Sequence, residues 1–274
     1  MSDFIIKEFY EKMKDANLSA YGILDLNDNI HTLGTDSKII GRIFEMYTQP
    51  VLEDIAKSHG YKIVTPQSQT IYPDFIMIKE NEPEQKIAID VKTTYVKKDT
   101  SKIKFALGSY GSYMRDNKKN IEYKYTDYAI HYVVGFVYKR NDKAQDSRVY
   151  IYDDRKQIAC PYKDVRYFIQ EKYKIAGDIP GSGDTENIGS INTNNFSSFV
   201  DGTGPFSELG VDIFDIYWKY YPKYRAPIKE YTSIETFFAW FIKQDKHPQL
   251  LHDYDYDNVI QNIEIYKEKH NIKY

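Results

Sequence analysis

Two aspartates and a lysine lie on neighbouring segments that both have the pattern of β-strands. Asp74 opens the run DFIMIKE, and after 15 intervening residues Asp90, followed by Lys92, lies within the run KIAIDVKTTY. Residues two apart in a strand point to the same face of a sheet, so Asp90 and Lys92 share a face. The alternate positions, which should face the core, are Ile87, Ile89 and Val91.

A short polar turn, NEPEQ, joins these two strands, and antiparallel pairing would place the carboxylates of Asp74 and Asp90 side by side. Two carboxylates supply the hard oxygen ligands that Mg²⁺ prefers. Such an ion polarises a phosphoryl oxygen and helps to generate hydroxide. Lys92 would stabilise the charged transition state or position the attacking water. The pattern is equally compatible with a salt-bridged, half-exposed hairpin.

Composition restricts the classes of protein that this chain can belong to. It has 274 residues, 42% of them hydrophobic, which is enough to bury a sizeable core. The single cysteine, Cys160, excludes an internal disulfide and a thiolate metal cluster. The N-terminus lacks the pattern of a signal peptide, and no run approaches the ~20 apolar residues of a membrane span. We therefore expect a cytoplasmic protein that does not contact a membrane.

The charge is unevenly distributed along the chain. The net charge is −3, but residues 91–140 contain eleven basic and four acidic side chains. This local excess suits either a phosphate backbone or an ordinary solvated surface. A second group of basic residues lies between Lys219 and Lys229.

Hydrophobic periodicity predicts a mixed α/β domain. Asp36 is the expected N-cap of a long helix that Gly60 ends and that Pro50 should kink or interrupt. Helices are also predicted over 3–15, 165–173, 211–221 and 233–243 and near the C-terminus. Strands are predicted over 61–66, 74–80, 86–95 and 129–138, with a hairpin over 20–33. The Gly-, Ser- and Asn-rich stretch 176–204 predicts a long loop or a pair of loops.

The D…D-x-K arrangement resembles that of the PD-(D/E)-x-K nucleases and, more narrowly, that of the EcoRV family of type II restriction endonucleases. The matching segments occur in the order and spacing of that family. They are TLGTDSKIIGRIFE at 32–45, HGY at 59–61, YPDF at 72–75, KIAIDVKTTY at 86–95, IKFALGSY at 103–110, KNIEY at 119–123 and IAGDIPGSGDTENIGSI at 175–191.

This resemblance implies a restriction-endonuclease-like fold, with a mixed central β-sheet flanked by helices. Residues 1–245 would form the catalytic and DNA-binding domain, and 246–274 a C-terminal helical extension of unassigned role. The family's U-shaped homodimer holds double-stranded DNA between its arms, and the hairpin at 20–33 would contribute to the dimer. A two-fold dimer reads a palindrome, and each subunit cuts one strand.

The resemblance also assigns roles to residues of the site. Asp74 and Asp90 would be Mg²⁺ ligands and Lys92 the catalytic lysine. Glu45 matches a further acidic residue that would hold a second metal ion or a bridging water. Without the resemblance, Glu45 has the pattern of a surface glutamate on a helix.

Two loops and several single residues are expected to contact DNA. A loop that reads base edges in the major groove comprises Gly181, Ser182, Gly183, Asp184, Thr185 and Glu186; its glycines allow close approach of the backbone. No Walker lysine follows this loop, so we expect no nucleotide cofactor. A second loop, near the minor groove, carries Gln67, Gln69 and Thr70, although a polar turn has the same pattern. The other expected contacts are Thr93, Thr94, Ser112 and Lys119.

The base-reading loop departs from the family pattern at two positions. Asp184 replaces an asparagine and Glu186 a threonine, so two negative charges would face a polyanion. Asparagine can both donate to and accept from adenine, whereas an ionised aspartate only accepts. The family's palindrome, GATATC, is therefore a default expectation for the target.

The expected function is Mg²⁺-dependent hydrolysis of double-stranded DNA at a short palindrome, leaving 5′-phosphates. One alternative is a structure-specific repair nuclease of the same superfamily, which needs no base-reading loop. Another is a DNA-binding module without catalysis, which has no need of Asp74, Asp90 and Lys92.

Overall fold

The structure of the protein is a computed structural model that describes residues 3–181, 186–243 and 254–272. The helices are α1 (Asp3–Met13), α2 (Ser37–Ser58), α3 (Lys172–Ile175), α4 (Ser197–Asp201), α5 (Phe206–Leu209), α6 (Val211–Tyr220), α7 (Ile234–Ile242) and α8 (Tyr256–Lys269). The strands are β1 (Gly22–Leu24), β2 (Asn29–Leu33), β3 (Tyr61–Val64), β4 (Phe75–Lys79), β5 (Lys86–Tyr95), β6 (Ala106–Ser109), β7 (Tyr128–Arg140), β8 (Asp146–Ile151), β9 (Tyr162–Glu171) and β10 (Asn187–Gly189).

A five-stranded mixed sheet lies at the centre, in the order β3-β4-β5-β7-β9. β5 and β7 are parallel, and the other neighbours are antiparallel. Helices pack on both faces, so the predicted mixed α/β fold is confirmed. Strands that are covered on both faces need apolar residues at nearly every position, which explains the continuous apolar runs of β4 and β7.

The two faces of the sheet have separate cores. On one face, Ile87, Ile89 and Val91 of β5 pack with Phe9 of α1 and Phe44 of α2. On the other face, Ala88 lies in a cluster with residues of β6, the segment after it and helices α4 to α8. Asp90 and Lys92 belong to this second face and lie at its edge, where the apolar core gives way to a cleft.

Helix α2 begins as predicted, with the Asp36 carboxylate accepting from the backbone N–H groups of Lys38 and Ile39. It continues through Pro50 to Ser58, so the helix is not interrupted at this proline, and a kink there stays a prediction. A proline inside a helix costs ~3 kcal/mol. Burial of apolar side chains on both sides of it, including Phe44 and Leu52, offsets that cost.

The segment 165–173 was predicted as a helix, but most of it belongs to strand β9, which pairs antiparallel with β7. Neighbouring residues explain the error. Phe168 and Ile169 are both fully buried, yet they lie in the cores on opposite faces of the sheet. Only a strand directs adjacent side chains to opposite faces, and periodicity does not distinguish a short doubly buried strand from a buried helix.

The predicted hairpin is confirmed, with β1 and β2 antiparallel and Asp25 accepting from the N–H groups of Asn27 and Asn29 in the turn. β8 adds a third strand to it. The loop predicted over 176–204 proved more structured than expected, since it contains β10, paired with β6, and α4.

The predicted C-terminal helix is also confirmed. Val259 and Ile263 of α8 are fully buried in the same core cluster as α5, α6 and α7. Within the described ranges, no helix is both long enough and apolar enough to cross a bilayer. The division into a domain over 1–245 and an extension over 246–274 stays a prediction.

Gly135 of β7 offers a test of how tightly the core is packed. A Cβ at this position would lie 2.1 Å from a carbon of the Phe168 ring. That ring is fully buried and packs against Phe105 and Phe199. We expect Gly135→Ala to lower the free energy of unfolding by ~1–3 kcal/mol in urea denaturation, because the ring cannot move aside freely.

Gly41→Ala is the matched control, because a Cβ there would meet only the Thr93 hydroxyl, at 3.5 Å. Gly41 lies inside helix α2, where alanine should raise stability by ~0.5–1 kcal/mol. Equal effects of the two substitutions would contradict this account of the core.

Candidate active site

The two aspartates meet because of the register between β4 and β5. Phe75 pairs with Ile89, so Asp74, one residue before Phe75, lies opposite Asp90. The Asp74 carboxylate accepts a hydrogen bond of 2.7 Å from the backbone N–H of Val91, which fixes its orientation. Both aspartates line a cleft of about 250 Å³, together with Lys92.

Lys92 forms an ion pair with Asp90, the more deeply buried of the two aspartates. Its Nζ lies 2.7 Å from Oδ2 of Asp90, and the Asp90 side chain is 4% exposed. Burial acts to lower the pKa of Lys92, but the charges of Asp90 and Asp74 raise it overall. The side chain therefore stays an ammonium and keeps a positive charge at the wall of the cleft.

The carboxylates carry more negative charge than their surroundings neutralise. Burial, and then the charge of Asp90, raises the pKa of Asp74 to about 7. Oδ2 of Asp90 is buried and has the Lys92 ammonium as its neighbour, at 2.7 Å. Two carboxylates that face one cleft, one of them with a raised pKa, fit a site that takes a further cation.

Two stacked tyrosines line the same cleft. The rings of Tyr72 and Tyr113 lie 4.4 Å apart, and the Tyr72 hydroxyl is 2.8 Å from Nδ1 of His131. Beneath them lies Lys172, whose Nζ is 3.9 Å from the centre of the Tyr72 ring. Burial lowers the pKa of this lysine to about 7, although the charge of Asp90 opposes the shift. A second lysine therefore lies behind the tyrosine wall of the cleft, and its burial makes the positive charge easy to lose near neutral pH.

Glu45 lies near this group but is not gathered into it. Its carboxylate forms an ion pair of 2.6 Å with Arg42, one helical turn away on α2. It lines an adjoining cleft of about 360 Å³, which also borders Asp74. No group of three or more acidic, histidine or cysteine side chains among the described residues is placed to hold one metal ion. The role of Glu45 as a metal ligand stays a prediction.

The loop predicted to approach the minor groove borders both clefts. Gln69 lines each of them, and Thr70 lines the cleft of Asp74 and Asp90. Gln67 is exposed in the same loop but lines neither cleft. The structure therefore brings two of these three residues to the carboxylates.

The remaining expected DNA contacts lie in different surroundings. Ser112 borders the cleft, where its hydroxyl donates to the carbonyl of Lys119, whose side chain is exposed. Thr94 follows Lys92 on the same face of β5. Thr93 points to the opposite face, towards Gly41 of α2, so its side chain is directed away from the cleft.

Residues 182–185 of the base-reading loop, which are Ser182, Gly183, Asp184 and Thr185, lie outside the described residues. Its two ends, Gly181 and Glu186, are described. We expected Glu186 to face DNA, but its carboxylate is bonded within the protein. It forms an ion pair of 3.3 Å with Arg115 and accepts from the backbone N–H of Tyr224. These partners engage the carboxylate within the protein, and a contact between Glu186 and DNA stays a prediction.

A mixed sheet that presents two aspartates and a lysine from adjoining strands at one cleft is the arrangement expected of a nuclease with the restriction-endonuclease-like fold. Residues 14–242 match the model of the family described as Restriction endonuclease EcoRV. The chain is also 40% identical, over 227 residues, to the Type II restriction enzyme EcoRV of Escherichia coli. That alignment covers 82% of this chain and 91% of the relative. The chain therefore belongs to the EcoRV family of restriction endonucleases.

These comparisons confirm the predicted family and class of enzyme. Helix α8, over Tyr256–Lys269, lies beyond the residues that match the family.

Sequence reasoning missed the residues that support the site from behind. Lys172 was placed in a predicted helix, and Tyr72 and Tyr113 were not distinguished among 27 tyrosines. A strand assignment for 162–171 would have placed Lys172 at the end of the strand next to β7. Its burial beneath two rings depends on contacts more than 50 residues apart, which no local pattern shows.

The first substitution to test in this site is Lys92→Ala. Removing one positioned charge near a transition state costs ~3–4 kcal/mol, so single-turnover DNA cleavage should slow by orders of magnitude while the protein stays folded. Lys92→Arg should rescue only partly, because a planar guanidinium does not replace a point charge. The control is Lys62→Ala, at an exposed position of β3. Cleavage by Lys92→Ala within a few-fold of the parent rate would remove Lys92 from the site.

Proposed function

We propose that this protein is a Mg²⁺-dependent endonuclease that hydrolyses double-stranded DNA at a short palindrome and leaves 5′-phosphates. The observation that carries the proposal is the position of Asp74 opposite Asp90, with Lys92 beside them in one cleft. The relative that shares 40% identity is named a type II restriction enzyme, which supports a palindromic DNA substrate for this chain.

Asp74 and Asp90 are the residues that would hold Mg²⁺. The position of both carboxylates in one cleft and the raised pKa of Asp74 fit a bound cation, whose charge would offset the repulsion between the carboxylates. When bound, the ion supplies Lewis-acid charge to a phosphoryl oxygen. Hard oxygen ligands and phosphate favour Mg²⁺ over softer metals.

The chain's own residues position the reacting groups. Lys92 stays protonated at the wall of the cleft, where its charge stabilises the negative charge that develops on the phosphate or orients the attacking water. The hydrogen bond from the Val91 N–H holds Asp74 in one orientation. Gln69 and Thr70 border the same cleft, where we propose that they contact the DNA strand that is cut.

We further propose that the enzyme acts as a homodimer. The sheet β1-β2-β8 exposes apolar side chains that a monomer would leave in water; they are Ile23, Leu24, Leu26, Val149 and Ile151, each more than half exposed. Ile23, Val149 and Ile151 share one face of this sheet, and exposed apolar side chains grouped in this way are typical of a protein interface. A two-fold dimer suits a palindrome, because each subunit reads one half-site. Because its substrate is DNA, we place the enzyme in the cytoplasm.

The target is tested by digesting plasmid and genomic DNA in Mg²⁺ and sequencing the ends. We expect discrete fragments, with GATATC as the default site. A smear would instead favour a structure-specific nuclease, and a lack of cleavage would favour a binding module.

The same digest with Asp184→Asn addresses the departure from the family pattern. If the site is GATATC, asparagine should speed cleavage, because its amide regains a donor to adenine N7. The restored bidentate contact contributes ~1–3 kcal/mol of discrimination against the wrong base.

If the natural site instead places a cytosine amino group at Asp184, asparagine should slow cleavage there. Unchanged rates and unchanged sites would mean that residue 184 does not reach a base.

The metal site is tested with Asp74→Ala and Asp90→Ala. Each removes a ligand, so DNA cleavage should fall to background, and titration calorimetry should show weaker Mg²⁺ or Mn²⁺ binding. DNA binding in metal-free buffer should survive or tighten, because a negative charge near phosphate is lost. Asp99→Ala, at an exposed carboxylate paired with Lys139, is the control. Parental metal affinity in both aspartate variants would contradict this site.

The dimer is tested by sedimentation without DNA. The parent should sediment near twice 32.3 kDa at micromolar concentration. Ile151→Lys should shift it towards the monomer, because a charge replaces apolar contact area on β8. Ile265→Lys changes a similarly exposed isoleucine on α8 and should leave the mass unchanged. A parent that sediments as a monomer would count against recognition by a two-fold dimer.

A further inference from the structure

We propose that Glu186 is a positioning residue that connects the base-reading loop to the wall of the catalytic cleft. This inference rests on the proposed function of the loop at 181–186, and it assigns to Glu186 a role other than contact with DNA.

The Glu186 carboxylate bonds to two separate parts of the protein. Oε2 lies 3.3 Å from Nη1 of Arg115, and Oε1 accepts a hydrogen bond of 2.9 Å from the backbone N–H of Tyr224. Arg115 also donates to the carbonyl of Tyr221 and lies over the ring of Tyr110. The carboxylate thus connects the end of the loop with the segment that follows α6.

The backbone of Glu186 bonds to the cleft wall. Its carbonyl accepts from the N–H groups of Tyr110 and Gly111, at 2.9 and 3.2 Å. These residues open the π-helical turn Tyr110–Met114, which carries Ser112 and Tyr113. Both of the latter line the cleft with Asp74, Asp90 and Lys92. A displacement of Glu186 would therefore reach the cleft through two backbone hydrogen bonds.

Gly111 provides independent support, because the absence of its side chain makes room for this carboxylate. A Cβ on Gly111 would lie 2.1 Å from Oε2 of Glu186 and 2.8 Å from its Cβ. Any larger residue at position 111 would displace Glu186 from Arg115. The pairing of glycine with glutamate at these two positions is what allows the ion pair to form.

The other end of the loop is attached to the same region of the chain. Nζ of Lys104 donates to the carbonyls of Gly181 and Pro180, at 2.8 and 3.2 Å. Both ends of the loop are therefore bonded to residues 104–115, the segment that leads into the cleft wall. Contacts made by the loop can bias the position of Ser112 and Tyr113 through this attachment.

The test compares Glu186→Thr, which installs the threonine of the family pattern, with Glu186→Gln and Gly111→Ala. Glu208→Gln is the control, since it removes another salt-bridged glutamate, on α5. We expect Glu186→Thr to lower kcat at the target by about tenfold or more, because small misplacements of reacting groups are costly. KM should change by less than about threefold, and Glu186→Gln, which keeps an acceptor for Tyr224, should recover part of the loss.

Salt dependence distinguishes positioning from direct contact with DNA. If Glu186 faced phosphate, removing its charge would tighten DNA binding and change the slope of log K against log salt by about one. Positioning predicts an unchanged slope. Gly111→Ala should lower kcat in the same way, and the double variant should lose less than the product of the two single losses, because both disturb one contact.

Hydrogen exchange provides a measurement that does not depend on cleavage. In Glu186→Thr and Gly111→Ala, the amides of 110–114 and of Tyr224 should exchange faster than in the parent, while those of β5 should not change. Parental exchange in both variants would overturn the inference, as would a changed salt slope or parental kcat in Glu186→Thr. A parent that shows no site-specific cleavage would instead overturn the proposed function, and the exchange data would still decide the connection.

Discussion

The pairing of β4 with β5 brings two carboxylates to opposite positions, and like charges at this separation repel one another. The raised pKa of Asp74 reflects that repulsion together with the loss of water. Only the Val91 N–H and the Lys92 ammonium offset it from within the two strands. An unrelieved pair of buried charges would destabilise the fold, so the rest of the molecule has to hold the strands rigidly enough for the pair to persist.

The architecture around this pair meets that requirement. β4 and β5 lie inside a five-stranded sheet, and each face of the sheet is closed by an apolar core. Positive charge lies on the protein side of the carboxylates in Lys92, and behind the rings of Tyr72 and Tyr113 lies Lys172, whose pKa burial lowers to about 7. In the proposed function, the open side of the cleft would take a cation and phosphate. A bound cation would then offset the charge of the two carboxylates towards an approaching polyanion.

The parts of this site that follow from the sequence are those whose contacts are local. Asp74 and Asp90 come from strands joined by a short turn, so alternation along each strand was enough to place them together. The family resemblance then identified the enzyme class. β9 and Lys172 could not be predicted in this way, because adjacent residues of β9 enter opposite cores and their partners are distant in the sequence. The interruption expected at Pro50 does not occur for a similar reason, since apolar side chains on both sides of it are buried in a core shared with α1 and the sheet.

Glu186 shows most clearly how structure changes the meaning of a sequence difference. Taken alone, two acidic substitutions in a base-reading loop look equivalent, because each adds negative charge near a polyanion. In the folded chain the charge of Glu186 is matched by Arg115, and Gly111 leaves the space that it occupies. A matched charge contributes little to the potential at the DNA surface, so this substitution need not weaken binding. Of the two departures, we therefore propose that Asp184, and not Glu186, is the one that affects the choice of target.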